Sequence, residues 1–357
     1  MARLGDVCQK ATSNIAQKDL EGHSGVYPIY GASGFISNID FYQQGNPYIA
    51  VVKDGAGIGR IMKLPAKSSI IGTMQYIIPN DNVNIGYLAY AMEHMNLSKY
   101  FTGATIPHIY FKDYQAEELP LPPMEEQKKI AAVLDKVSDL IAKRRRQLDK
   151  LDLLVKARFV EMFGDPITNN NRLPMISLDK LGAWNSGGTP SRANPKYFSG
   201  EIDWYSAGEL NSLYLTDSIE KITQEAINNS SAKLFREGSM LVGMYDTAAF
   251  KMGILQKASA SNQACACIEP NDRVNIVWLY HVLQQMKDYF LQQRRGVRQK
   301  NLNLGMIKSF EIPFADKALQ NQFADFVEQT EKTKASISHS LETLEMLKKS
   351  LMQEYFG

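Results

Sequence analysis

The chain has 357 residues, 44% hydrophobic and 22% charged, with a formal net charge of +2. This balance fits about two folded domains rather than a disordered chain, and by itself argues neither for nor against a nucleic-acid partner. No apolar run approaches the roughly 20 residues of a membrane-spanning helix, and the start, MARLGDVCQKATSN, lacks the apolar core of a signal peptide, so a cytoplasmic location is expected.

Along the first third, short apolar runs alternate with turn signals such as Ser33-Gly34 and Asp54-Gly55, the pattern of a β-rich α+β domain. PYIAVV (47–52) reads as a strand. Asp54-Gly55-Ala56-Gly57-Ile58-Gly59 has the glycine density of a nucleotide-binding loop, but it lies between two apparent strands rather than before a helix. A hairpin turn is therefore the better reading. PNDNVNI (79–85) leads into a short helix, Gly86 to Met95. Pro122-Pro123, with Glu125 and Glu126 behind them, opens a long helix in which Ile130, Leu134, Val137, Ile141, Leu148, Leu151, Val155 and Met162 follow the four–three spacing of a coiled-coil seam. Gly164 and Pro166 end it.

The plan then repeats. Turn signals at Ser186-Gly187-Gly188 and a strand in SMLVGMY (239–245) precede PNDRVNI (270–276), six of whose seven residues match 79–85. A helical stretch, Val277 to Leu291, follows. Glu118-Leu119-Pro120-Leu121 matches Glu311-Ile312-Pro313-Phe314, 193 residues on, and the register holds to the end: Gln127 with Gln320, Leu148 with Leu341, Phe163 with Phe356. The second seam, Phe323, Val327, Thr330, Lys334, Ile337, Leu341, Leu344, Lys348 and Leu351, is more polar, as expected if part of it faces a partner helix or another protein. Pro313-Phe-Ala-Asp departs from Pro120-Leu-Pro-Pro and predicts a differently shaped start to the second helix. Cys8, Cys265 and Cys267 are too few for a disulfide framework and read as buried strand residues.

Neither helix can bury its stripe alone, and with about 145 residues between them an antiparallel pair is expected. At roughly 40 residues, each helix is about 60 Å long. The expected fold is α+β: two pseudo-symmetric β-rich domains joined by two long antiparallel coiled-coil helices, a dumbbell with segments 1–117, 118–164, 165–310 and 311–357.

ELPLPPMEEQKKIAAVLDKVSDLIAKRRRQLDKL followed by EMFGDP resembles the central region of type I restriction-modification specificity subunits. So do RLGDVC, VVKDGAGIGRI (51–61), SNQACACI (261–268) and GVRQKNLNLGMIKSFEIP (296–313). The likeness covers essentially the whole chain, and its most specific element is the Pro-Leu-Pro-Pro-x-x-x-Gln block. It implies two target-recognition domains, each reading half of an interrupted, asymmetric DNA site. The resemblance further implies that the helices set the spacing through Ile130, Leu134, Ile141, Leu148, Leu151, Phe323, Ile337, Leu341 and Leu344, and dock two modification subunits. S-adenosylmethionine, ATP and Mg would belong to the modification and restriction subunits, with no cofactor and no metal in this chain.

Under that resemblance, the aligned loops before the long helices become candidate DNA contacts: Thr102, Gly103, Thr105 and His108 in the first copy, and Arg294, Arg295, Gly296, Arg298, Gln299, Lys300 and Asn301 in the second. Arg and Lys hold phosphates or read guanine, Gln and Asn read adenine, and glycine permits close backbone approach. Lys53 and Arg60, beside the glycine loop, are either DNA-facing or plain surface. Lys143 to Arg146 lie mid-helix, with Arg144 on the seam; phosphates, acidic partner residues and solvent are all open as their counterpart.

Nothing in the chain reads as catalytic. Asn46-Pro47-Tyr48 lacks the second proline of an adenine-methyltransferase motif, no Walker loop is present, and the five histidines are scattered. Two rival readings stand beside the specificity subunit: a stand-alone DNA enzyme, and a structural or regulatory coiled-coil DNA-binding protein outside restriction-modification.

Overall fold

The two apolar stripes become the two longest helices, Met124–Phe163 and Lys317–Phe356, of 40 residues each. Each end of the second lies 193 residues beyond the matching end of the first, so the sequence repeat is a structural one. The computed structural model describes residues 1–103, 107–293 and 301–357. It divides into two units, Met1–Gln147 with Ile337–Gly357, and Leu148–Ser336, so each long helix contributes to both.

In the first unit an antiparallel sheet runs in the order Cys8–Thr12, Met74–Pro79, Tyr48–Val52, Ile61–Leu64. All five residues of Tyr48–Val52 are buried, because both faces of this inner strand are covered. Ile49 and Val51 share a core with Tyr87, Leu88 and Met92 of the helix Ile85–His94, while Tyr48, Ala50 and Val52 pack with Met74 and Tyr76 on the other face. A three-stranded sheet of Gly34–Ile39, Tyr27–Gly31 and Ser69–Ile70 lies alongside.

The second unit repeats this plan with additions. Its main sheet runs Gly182–Ser186, Cys265–Pro270, Met240–Gly243, Met252–Leu255, and gains a parallel edge strand, Tyr214–Leu215. The expected helix from Val277 to Leu291 is two helices, Ile276–Gln285 and Lys287–Leu291, joined at Met286. Cys8, Cys265 and Cys267 are buried strand residues as expected, and burial pushes the Cys8 and Cys265 thiols up to about 12.

Each unit is completed by the far end of the other repeat's helix. In the first, Ile130 and Leu134 share a core with Met352 and Phe356, and Phe356 packs 5.1 Å from Tyr87. In the second, Phe323 and Val327 share a core with Val155, Phe159 and Phe163, and Phe163 lies 6.1 Å from Trp278. Arg145 meets Glu345 at 2.6 Å in the first unit, where Leu134 shares a core with Met352, and Asp152 meets Lys334 at 2.9 Å in the second, where Phe159 packs on Phe323. Within each unit the second helix's numbers fall as the first helix's rise, so the segments run antiparallel. The predicted seam positions are buried or half-buried throughout, deepest where the globular layers add cover. The two seam lysines are neutralised inside the chain: Lys334 by Asp152 and Glu331, Lys348 by Glu93.

One expectation is corrected. The two helix starts are alike despite their different sequences, because a buried glutamine performs the same task in each. Gln127 accepts from Asn84 N–H at 2.8 Å and donates to the Pro122 carbonyl at 2.8 Å. Gln320 accepts from Asn275 N–H at 2.7 Å and donates to the Ala315 carbonyl at 2.8 Å. Asn84 and Asn275 in turn cap the short helices with their side chains. Main-chain carbonyls serve equally well from Pro or Ala, so the side-chain change leaves the geometry alone. Among the described residues no helix is long and apolar enough to cross a membrane.

Candidate nucleic-acid interface

The glycine loop is a hairpin connection, as expected: it joins the antiparallel strands Tyr48–Val52 and Ile61–Leu64. Gly55, Gly57 and Gly59 have φ of 83°, 90° and 79°, and a Cβ on Gly59 would sit 2.6 Å from Ser98 N. Glycine is therefore required for turning and for close approach rather than for phosphate binding.

A second loop folds against this hairpin. Thr102 and His108 exchange two backbone hydrogen bonds of 2.8 Å, and Gly103 takes a φ of 97°. Ile109 N–H donates to the Lys53 carbonyl at 2.9 Å, and Gly55 N–H to the Pro107 carbonyl at 3.0 Å. The side chains join as well: His108 Nδ1 lies 2.6 Å from Asp54 Oδ1, and Lys53 Nζ 3.4 Å from Asp54 Oδ2. The fold thus brings Lys53, Thr102, Gly103 and His108 together. Arg60 is exposed at the other end of the glycine loop, where it donates to the Ala32 carbonyl at 2.8 Å and braces the neighbouring hairpin turn. Thr105 lies outside the described residues.

Phe101, 60% exposed, lies within the nominated stretch from Lys99 to His108 without having been singled out, and Tyr110, 50% exposed, lies just beyond it. Large aromatics left in water beside basic residues are suited to stacking or to apolar contact with a thymine methyl. In sequence they look like ordinary core aromatics, and only their exposure distinguishes them. Glu117 sits nearby and pairs with Lys99 and Tyr100. Burial pushes its carboxyl up, but these partners outweigh burial and hold it below the ordinary range.

The second repeat builds the same junction from other residues. Arg294, Arg295, Gly296, Arg298, Gln299 and Lys300 lie outside the described residues, but Asn301 is described. Its Oδ1 accepts from Asp246 N–H at 3.0 Å, and Leu302 N–H donates to the Met244 carbonyl at 2.8 Å. Asp246 belongs to the connection between Met240–Gly243 and Met252–Leu255, the counterpart of the glycine loop, where Asp246 and Phe250 take positive φ of 50° and 59° in place of glycines.

The mid-helix basic cluster is partly engaged by the chain itself. Arg145 pairs with Glu345, and Arg144, half-buried on the seam as expected, donates to Gln147. Among the described residues no three His, Cys, Asp or Glu side chains are grouped to hold a metal ion.

Two tandem stretches, residues 1–152 and 175–346, match the family model for the type I restriction modification DNA specificity domain. The chain belongs to this family. Each specificity-domain match spans one repeat and runs into its long helix. The chain is 20% identical over 247 residues to the EcoR124I/EcoR124II specificity subunit of Escherichia coli, covering 65% of this chain and 60% of that one. It is 23% identical over 212 residues to the MjaIX specificity subunit of Methanocaldococcus jannaschii, covering 57% and 48%. The matched stretches thus span less than two thirds of these relatives. Among solved structures, its fold resembles the type I restriction-modification S subunit from M. genitalium, with TM-score 0.69, 13% identity and coverage of 100% and 95%. It also resembles a chain of a type I system solved for its assembly and conformational transition, with TM-score 0.56, 16% identity and coverage of 99% and 96%.

Proposed function

We propose that this specificity-family chain is the DNA-recognition subunit of a type I restriction-modification complex, with 1–117 and 165–310 as its two target-recognition domains. The observation that carries this reading is the paired-loop junction, built twice on one backbone plan but from different side chains. A shared plan explains how both domains approach a duplex in the same manner. Different residues at the tips, Lys53, Thr102 and His108 in one and Asn301 in the other, would read different bases, so the site is interrupted and asymmetric. By sequence, Arg294 to Lys300 would add phosphate and guanine contacts to the second junction.

The segments 118–164 and 311–357, each built on a 40-residue helix, would serve as the spacer between the two half-sites. Ile130, Leu134, Ile141, Leu148, Leu151, Phe323, Ile337, Leu341 and Leu344 are turned into the chain's own packing and serve this spacing role. Exposed apolar side chains on these helices, Val133, Leu140, Leu153 and Met346 among them, would be open to two modification subunits. Adenine methylation with S-adenosylmethionine, and ATP- and Mg-dependent restriction, would reside in the partner subunits, leaving this chain to bind and orient.

The test is a genome-wide map of methylated adenine in cells carrying the neighbouring methyltransferase, with and without this gene. The expected result is an interrupted motif that vanishes with the gene. If no motif depends on the gene and the purified chain also fails to bind the methyltransferase, the assignment fails.

A further inference from the structure

The first junction holds a carboxylate at a surface assigned to a polyanion. Asp54 carries a negative charge that, on electrostatics alone, weakens DNA binding, since protein–DNA affinity rests heavily on phosphate neutralisation. Its placement is explained by what it does to His108. A carboxylate only accepts hydrogen bonds, so at 2.6 Å from Asp54 Oδ1 it is His108 Nδ1 that carries the proton and donates. The tautomer is thereby set, and Nε2 becomes the recognition atom of a side chain that keeps 38% of its surface exposed. Tyr110 lies nearly parallel to the imidazole, with ring centroids 6.5 Å apart and 21° between the planes.

The second repeat makes the same cross-loop tie by other means. Asn301 stands 193 residues beyond His108, and its Oδ1 is held by Asp246 N–H at 3.0 Å. The main-chain bonds beside the two ties correspond, Ile109 to Lys53 and Leu302 to Met244. Two different chemistries arriving at one tie indicate that holding this side chain is itself the purpose.

We propose that Asp54 is a positioning residue for base readout: it fixes His108 so that Nε2 meets a base edge in the half-site read by the first unit. This rests on the DNA-recognition reading above. With the neutral ring, Nε2 offers a lone pair to the exocyclic amino group of adenine or cytosine; with the protonated ring it offers an N–H to guanine N7 or O6.

The full chain, as wild type, Asp54→Ala, His108→Ala, the double variant and Asp54→Asn, is used to select from a pool of duplexes with a randomised central segment. Bound sequences are read out, and thermal unfolding of each variant is recorded alongside. His108→Ala identifies the base positions that depend on the imidazole. Asp54→Ala is expected to lose preference at those same positions by roughly tenfold, with the other half-site unchanged. The double variant loses no more than either single one, and Asp54→Asn, which keeps an acceptor oxygen, restores most of the preference. Tighter binding of every duplex by Asp54→Ala, with both halves still selected, would overturn the proposal by showing that Asp54 acts only through its charge. Losses at positions different from those of His108→Ala, or additive losses in the double variant, overturn it too. If Asp54→Ala is poorly folded, Asp54→Asn decides: a well-folded Asn variant without selectivity at the His108 positions counts against positioning through the acceptor. A wild-type chain that enriches no sequence fails the recognition reading itself, a result distinct from all of these.

Discussion

Gln127→Ala tests whether a single buried amide holds the first unit onto its long helix. The side chain is 1% exposed; Oε1 accepts from Asn84 N–H at 2.8 Å, and Nε2 donates to the carbonyls of Pro122 at 2.8 Å and Asn82 at 3.2 Å. Truncation removes all three bonds. A net value of about 1 kcal/mol each sets a loss near 3 kcal/mol, and the backbone groups left behind are only part-buried, so water recovers some of it. The expected loss is about 2–3 kcal/mol. Two units sharing two helices do not guarantee a single two-state transition, so hydrogen exchange resolved by peptide is the appropriate assay. Peptides covering 80–95 and 118–130 should exchange faster by the corresponding factor, while 271–290 stays protected. Gln320→Ala should reverse the pattern. A change under about 0.5 kcal/mol, the range of an ordinary surface substitution, or equal changes in both units, would refute the clasp.

Three further outcomes follow from the packing. Phe356→Ala should destabilise the first unit and Phe163→Ala the second, each by about 3–5 kcal/mol for loss of a large buried ring; exchange measurements would show whether each loss stays in its own unit. His281 is half-buried, its ring 5.2 Å from that of Phe323 and its shielded Nε2 without a partner among the described residues; desolvation followed by the charge of Lys334 lowers it to about 4, against the opposing pull of Asp152. The unfolded state binds the proton first, so the second unit should lose up to about 3 kcal/mol as pH falls from about 6.5 to about 4; denaturant melts at several pH values should show a slope that His281→Gln abolishes. Asp203 is 1% exposed and ion-paired with Lys257 at 2.6 Å and Lys221 at 3.3 Å. Burial pushes its carboxyl up, but Lys257, Ser218 and Lys221 outweigh burial and hold it low. Its contribution is present above the ordinary aspartate range and is lost as pH falls through the folded value. Asp203→Asn should cost about 1–3 kcal/mol at neutral pH and flatten the acid limb of the stability profile.

Local pattern was sufficient for the elements and for the repeat. Four–three spacing located both long helices, because a stripe recurring every 3.5 residues has few other ways to be buried. The register of 193 predicted that the helices would match, and they do at both ends. The hairpin at Asp54-Gly55 was legible because strands on both sides leave a glycine run little else to be. The loops nominated as DNA contacts were found from their position before the helices, together with the family resemblance.

What required the tertiary structure was every relation between residues distant in the chain. Nothing near Gln127 in sequence reveals that its amide meets Asn84, 43 residues away. The hydrogen bond between His108 and Asp54 spans 54 residues, and neither residue type alone signals it. The exposure of Phe101 and Tyr110 was equally hidden, since an aromatic reads as core until its neighbours are known. Most of all, periodicity shows that a helix has an apolar face but not what covers it. That Phe356 completes the first unit and Phe163 the second was decided only when the chain turned back on itself, because burial belongs to the folded assembly of segments and not to any one of them.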